Sequence, residues 1–221
     1  YFFISTYIPW GIRTEELHMA KEQTMDVKAP YAKKRFSLRQ IAVVGLLSAL
    51  TVVLSVTGLG FIPIPPINAT ILHIPTLIGA LVEGPKVGMV IGFVFGAYSM
   101  LQNIMAPNIM SFAFLNPLVA VVPRMLIGPA AYVIYKYIPV KRAAIKVAIS
   151  LFLGTMIHTI LVMGMIYLIY AEPYAAAQGI PVSNVLNIVI GVALFHGPLE
   201  GLAATAIGTP VVMALRAKLK K

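Results

Sequence analysis

The 221-residue chain has no cysteine, one tryptophan and only seven acidic residues. The first absence excludes disulfides, thiolate nucleophiles and iron–sulfur ligation. The acids are also unevenly spread: Glu15, Glu16, Glu22 and Asp26 stand near the start, and only Glu83, Glu172 and Glu200 follow. No two of those three are close in sequence, so an acid-rich metal cluster of the prenyl-transfer kind is not available. A GxxxxGK[ST] phosphate loop is missing, which denies the chain ATP-driven work of its own. His196 and Glu200 are four residues apart on one helix face, but they do not meet HExxH spacing. We therefore expect no enzyme activity, no catalytic residue, no metal and no cofactor in this chain.

What is present is apolar. Hydrophobic residues make up 59% of the chain and charged residues 11%, and the mean hydropathy is +0.90. Such values lie outside soluble globular composition and indicate an integral membrane protein. The net charge of +10 would suggest nucleic acid in another context. Here the basic residues flank apolar segments, so membrane topology accounts for them and no nucleic-acid partner is expected.

Residues 1–35 read as a cytoplasmic N-terminal leader of mixed charge, and 36–221 as the membrane-embedded domain. Met19 opens an ordinary-looking leader, and translation is expected to start there or at Met25, leaving 1–18 as an artefact. From Ile41 onward the pattern predicts an all-α bundle of six spans at about 41–58, 69–83, 86–102, 112–135, 145–170 and 185–215. Spans two and three fall short of the roughly 20 residues a perpendicular helix needs. Lys33, Lys34, Arg35 and Arg39, then Lys86, then Lys136, Lys141, Arg142 and Lys146, then Arg216, Lys218, Lys220 and Lys221 all fall on one side. The loops on the other side carry no Lys or Arg, which predicts that both termini are cytoplasmic.

Gly84, Gly88, Gly92 and Gly96 recur at four-residue spacing and predict close helix packing. The loop "GLGFIPIPPINATILHIP" is too rich in proline to be helical and could act as a stiff lid or as a structural cap. Asn68 and His73 close that loop. Gln102, Asn103, Asn116, His158, Asn187 and His196 are further polar groups in apolar surroundings, and together they predict a small-molecule site facing outward.

Arg124 poses the sharpest question, because a cation at bilayer depth is costly and needs a partner or a ligand. It lies about 12 residues, roughly 18 Å, into span four, and Glu200 is about as deep in span six. A buried Arg124–Glu200 ion pair is the expected arrangement; direct reception of an anionic substrate by Arg124 is the alternative.

The ordered combination of the Pro-rich first outer loop, "HIPTLIGALVEGPKVGMVIGFVFG" and "FLNPLVAVVPRMLIG" resembles the substrate-binding S-components of energy-coupling factor (ECF) vitamin transporters, over about residues 36–218. The resemblance implies a membrane protein that captures a vitamin at the outer face. It then docks on a transmembrane coupling subunit carrying two ATPases, which consume the ATP. It further implies that Gly45 and Ala49 form the docking seam, where relatives carry a pair of small residues, usually alanines. Phe61, Pro63, Pro65 and Pro66 would belong to the gating loop, and ligand contacts would come from that loop and the outer halves of spans four to six. Pantothenate-type members are the most similar, with pyridoxine-type, riboflavin and nicotinate relatives behind them. The competing reading is a self-contained proton-coupled transporter using Glu200 and His196, and a third is an assembly subunit without transport.

Overall fold

The computed structural model describes residues 36–63, 69–107 and 110–219. The leader expected at 1–35, and with it Lys33, Lys34 and Arg35, lies outside them, as do Pro65, Pro66, Asn68, Lys220 and Lys221. Residues from Ser37 on form one compact unit. Its first helix, α1 (Leu38–Val56), starts at a capping box in which the Ser37 hydroxyl accepts the Gln40 N–H and the Gln40 side chain accepts the Ser37 N–H. Two short antiparallel strands follow, β1 (Phe61–Ile62) and β2 (Ala69–Thr70), paired Phe61 to Thr70 and Ile62 to Ala69.

Helix α2 (Ile74–Glu83) is buried from Ile74 to Leu81. Gly84, at φ +106°, turns the chain sharply, and Pro85 opens α3 (Pro85–Met105). Three pieces come next: α4 (Ser111–Phe114), α5 (Pro117–Ala120) and α6 (Val122–Tyr137). Helix α7 (Ala143–Gln178) bends at Tyr170, three residues before Pro173, and ends at Gly179 with φ +65°. A 3-10 turn at Val182–Asn184 leads into α8 (Val185–Leu219).

Among the described residues, five helical stretches are long and apolar enough to cross a membrane: Leu38–Val56, Pro85–Met105, Pro117–Tyr137, Ala143–Gln178 and Val182–Leu219. The chain is thus an all-α, multi-pass membrane protein in its spanning part. The sixth apolar segment departs from the expected span at 69–83. It is a ten-residue helix, about 15 Å long, because Ala69 and Thr70 are taken up in the strand pair. The expected single span at 112–135 is broken as well, since Pro117 and Pro123 each lack the N–H that would continue the helix.

The core has two parts. At the end of the bundle that bears Arg39, Lys146 and Arg216, the side chains of Leu77, Leu81, Ile127, Val147, Leu151 and Val212 pack together. At the opposite end Met110, Val119, Val162, Ile166, Tyr174 and Val189 form a second cluster. The glycine stripe of α3 joins the two on one side. A side chain at Gly92 would collide with the backbone carbonyl of Arg124, and a Cβ at Gly96 would lie 2.6 Å from the Cα of Val121. This is backbone-to-backbone contact between α3 and the broken α5–α6 segment, the role small residues play where water supplies no driving force between helices.

Candidate functional site

Against the second of these cores lies a cavity of about 560 Å³, within the usual range for a small-molecule site. Its walls are apolar and aromatic, with Phe61, Phe95, Phe114, Val162, Met163 and Ile166 among them. The polar groups on it come from six places: Ser55 on α1, Thr70 on β2, the Tyr98–Asn103 stretch of α3, Arg124 on α6, a face shared by α7 and α8 that carries His158, Thr159, His196 and Glu200, and Gln178 at the end of α7.

The position of Arg124 follows from the helix break. In a continuous helix the N–H of residue 123 would bond the Val119 carbonyl, but proline has no N–H to offer. The Arg124 guanidinium takes that acceptor instead, with Nη1 donating to Val119 O at 2.6 Å. The same guanidinium lies 5.6 Å from the Phe95 ring centroid and 5.1 Å from that of Phe114. Contacts of this kind stabilise a desolvated cation by about 2 kcal/mol or more. The side chain is buried, and its Nε has no hydrogen-bond partner.

The expected Arg124–Glu200 ion pair is not formed. Both residues line the cavity, but the ion pair within bonding distance among the described residues joins Arg39 to Glu83. Each member of the expected pair is held elsewhere. Glu200 Oε1 accepts the Thr70 N–H at 2.6 Å, and Oε2 lies 3.5 Å from the Thr159 hydroxyl, at the weak limit of a hydrogen bond. The strand segment therefore reaches the deep carboxylate through its backbone.

His158, beside Glu200, has neither ring nitrogen hydrogen-bonded, although the residue is buried. Its ring stacks on His73 at 5.6 Å between centroids, and Phe95 lies 6.5 Å away on the tilt. His73 does not line the cavity. Its Nε2 is 3.1 Å from the Thr155 hydroxyl, and that hydroxyl donates to Leu151 O at 3.0 Å. With the hydroxyl hydrogen committed, the oxygen is left as an acceptor, so the network assigns the ring hydrogen of His73 to Nε2. His73 Nδ1 is then a bare, buried acceptor with no partner. Buried groups of this kind each cost about 1–3 kcal/mol if nothing satisfies them.

The other expected contacts divide. Gln102 and Asn103 line the cavity: Gln102 accepts the Ser55 hydroxyl at 2.7 Å, and Asn103 accepts that of Ser111 at 2.8 Å while donating to Ser99 O. Phe61 lines it too, whereas Pro63 is exposed beyond β1. Asn116 does not reach the cavity. It caps α5 by accepting the Leu118 N–H at 2.9 Å and donates to the Tyr170 hydroxyl at 3.1 Å. Asn187 is exposed, because the inward face of α8 runs through Val185, Val189, Val192 and His196 and residue 187 points nearly opposite. Gly45 and Ala49 are exposed on α1, and a Cβ at Gly45 would meet nothing within 4 Å.

Some wall residues escaped the sequence reading. Phe95, Tyr98, Ser99 and Gln102 follow the spacing of one helix face, a periodicity that Gln102 alone could have anchored. Thr70 acts through its backbone N–H, for which residue type gives no signal.

Comparison with known proteins bears on the same region. The pantothenic acid transporter PanT of Lactococcus lactis subsp. cremoris (strain MG1363) is 27% identical over 121 residues, covering 48% of this chain and 60% of that protein. The chain therefore spans less than two thirds of the length of that curated relative. The family described as ECF transporter, substrate-specific component, matches residues 39–212, which includes every helix that lines the cavity. The chain belongs to the ECF transporter substrate-specific component family.

Proposed function

We propose that the chain is the substrate-binding subunit of an ATP-driven vitamin importer and that its ligand is pantothenate. The observation that carries this reading is the buried Arg124 in a largely apolar, aromatic cavity, where the Glu200 carboxylate on the same wall already accepts the Thr70 N–H. A carboxylate on the ligand would meet the guanidinium in a charge-assisted bond, and its hydroxyl and amide groups would meet His158, Gln102 and Asn103. The likeness to a pantothenate transporter supports the same choice. Capture would occur from outside with both termini in the cytoplasm, and the Phe61–Pro63 segment would belong to the loop that closes over the ligand. Release would require a transmembrane coupling subunit with two ATPases, docked along Gly45 and Ala49.

Two measurements test this. Calorimetric titration of the detergent-purified protein is expected to give saturable one-to-one binding of pantothenate; binding of another vitamin in its place would overturn the substrate assignment. Replacing Gly45 with Leu adds bulk at a position where a Cβ meets nothing within 4 Å among the described residues. Binding is expected to stay unchanged while ATP-dependent uptake in cells is lost, and a parallel loss of both would place the seam inside the bundle.

A further inference from the structure

Glu200 is the least explained charge on the cavity wall. It is buried, it does not pair with Arg124, and it repels the carboxylate that the functional reading brings to the same cavity. What it does hold is backbone. Thr70 N–H donates to Glu200 Oε1 at 2.6 Å, across 130 residues of sequence. The Thr159 hydroxyl has one hydrogen and lies nearer to the Thr155 carbonyl, 3.2 Å against 3.5 Å to Glu200, so of these two donors Thr70 is the firm one.

The strand pair sets the direction of that bond. Along an antiparallel strand, successive N–H groups point to opposite sides. Ile71 N–H bonds the Gly60 carbonyl at 2.9 Å, on the β1 side, so Thr70 N–H faces away from β1 and reaches α8. The other root of the pair is tied to α1, where Gly60 N–H bonds the Leu54 carbonyl at 2.9 Å; a Cβ at Gly60 would lie 2.2 Å from the Leu72 side chain. Phe61, Thr70 and Leu72 all line the cavity, as Glu200 does from α8. The pair is thus joined to α1 and α2 through the chain and held on α8 by a charge-assisted bond, a class about twice as strong as a neutral one.

We propose that Glu200 is a positioning residue for ligand exchange: its bond to the Thr70 N–H holds the strand pair against α8, and the ligand enters and leaves the cavity when that bond breaks. The inference rests on the reading of this chain as a pantothenate-binding subunit closed by its first loop. Because the bond involves no ligand atom, it holds the free and loaded forms alike. Breaking it raises the open fraction of both by one factor, so association and dissociation speed up together while Kd stays nearly constant. Loss of a direct ligand contact acts instead through dissociation.

The test measures both rate constants with labelled pantothenate on detergent-purified protein. Glu200→Met removes the acceptor, and Thr70→Pro removes the donor at a position whose N–H the strand ladder does not use. Each is expected to raise both rates about ten- to hundred-fold, the loss of one hydrogen bond to a charged group, with Kd within about threefold. Glu200→Gln keeps a neutral acceptor and should fall between wild type and Glu200→Met. Thr70→Ala keeps the N–H and should be about tenfold slower than Thr70→Pro. The double variant of Glu200→Met and Thr70→Pro should be no faster than either alone. Faster dissociation without faster association would make Glu200 a ligand contact, and unchanged rates in whichever variant folds would leave the bond merely structural; both overturn the proposal. Should neither fold, Glu200→Gln decides in the same way. Amide exchange at Thr70, read without the vitamin, separates the proposal from the substrate reading. It is expected to be about tenfold faster in Glu200→Met, and equal exchange overturns the role of Glu200. No pantothenate binding by the wild type, with that faster exchange present, overturns the substrate reading and supports the hold of Glu200 on the strand pair.

Discussion

The two ends of the bundle are built from similar apolar residues, yet one is solid and the other hollow. At the basic end the contacts are side chain into side chain, and hydrogen bonds tie the helices across: Arg39 pairs with Glu83, Gln40 reaches the Glu83 carbonyl, and the Arg216 guanidinium donates to the Leu81 carbonyl while lying 4.1 Å from the Tyr135 ring centroid. At the other end the helices are interrupted at Asn116, Val121 and Tyr170. The interruptions turn backbone carbonyls and short segments inward and leave the cavity between them. Pro117, Pro123 and Pro173 stand in the hollow half or at its border, whereas Pro129 and Pro210, beside the solid core, lie within continuous helix. A solid base keeps the hollow half in shape, because it supplies packing that the interrupted half lacks.

The contrast can be broken most severely from the solid side. A Cβ at Gly88 would lie 2.5 Å from the Ala80 Cβ and 3.2 Å from the Gly128 Cα, so Gly88→Val is expected to cost about 3 kcal/mol, the upper end of overpacking. Thermal unfolding in detergent would show it, and a melting temperature within a degree of wild type would mean that the helices separate easily. The largest effect on the hollow side should be on binding. Arg124→Met is expected to weaken pantothenate about a hundred-fold while changing stability by only about 1 kcal/mol, and to leave unchanged the affinity for the alcohol analogue lacking the carboxylate. Equal losses for both ligands would show that the arginine shapes the cavity without receiving an anion.

Smaller effects sharpen the boundary. Removing the Ser55 hydroxyl, which bonds Gln102 between α1 and α3 at the cavity, should cost about 1 kcal/mol, visible as a modest fall in melting temperature. Least of all, Glu83→Gln should change stability by well under about 1 kcal/mol and leave binding intact. Its partner Arg39 has half of its side chain exposed, where ion pairs contribute little. A large loss there would mean that the basic end is held by charge more than by packing.

Sequence periodicity located all six apolar segments, and the glycine repeat of α3 announced the backbone contact that Gly92 and Gly96 make. What it could not show was where a proline breaks a helix and where it merely starts one. Pro85 begins α3, whereas Pro123 divides what read as a single span. That division also decided the fate of Arg124. Depth along the chain suggested Glu200 as its partner, but the carbonyl freed at Val119 is nearer in space, and no residue type signals a freed carbonyl. Gln102, Asn103 and His158 were recognisable as cavity residues because polar side chains stand out in an apolar stretch. Asn116 and Asn187 stood out equally and serve other ends, one as a helix cap and one on the exposed face.

The ten residues of α2 bear on how the protein is made. A segment about 15 Å long cannot be held across a bilayer of about 30 Å by partitioning alone, so the insertion machinery has no reason to retain it as a span when it emerges. Its place is won later, once α3, α6 and α8 are present to surround it. The assembly of this bundle therefore includes a true folding step inside the membrane, and a nascent chain stopped before α8 would lack the Arg216 contact that fastens the end of α2.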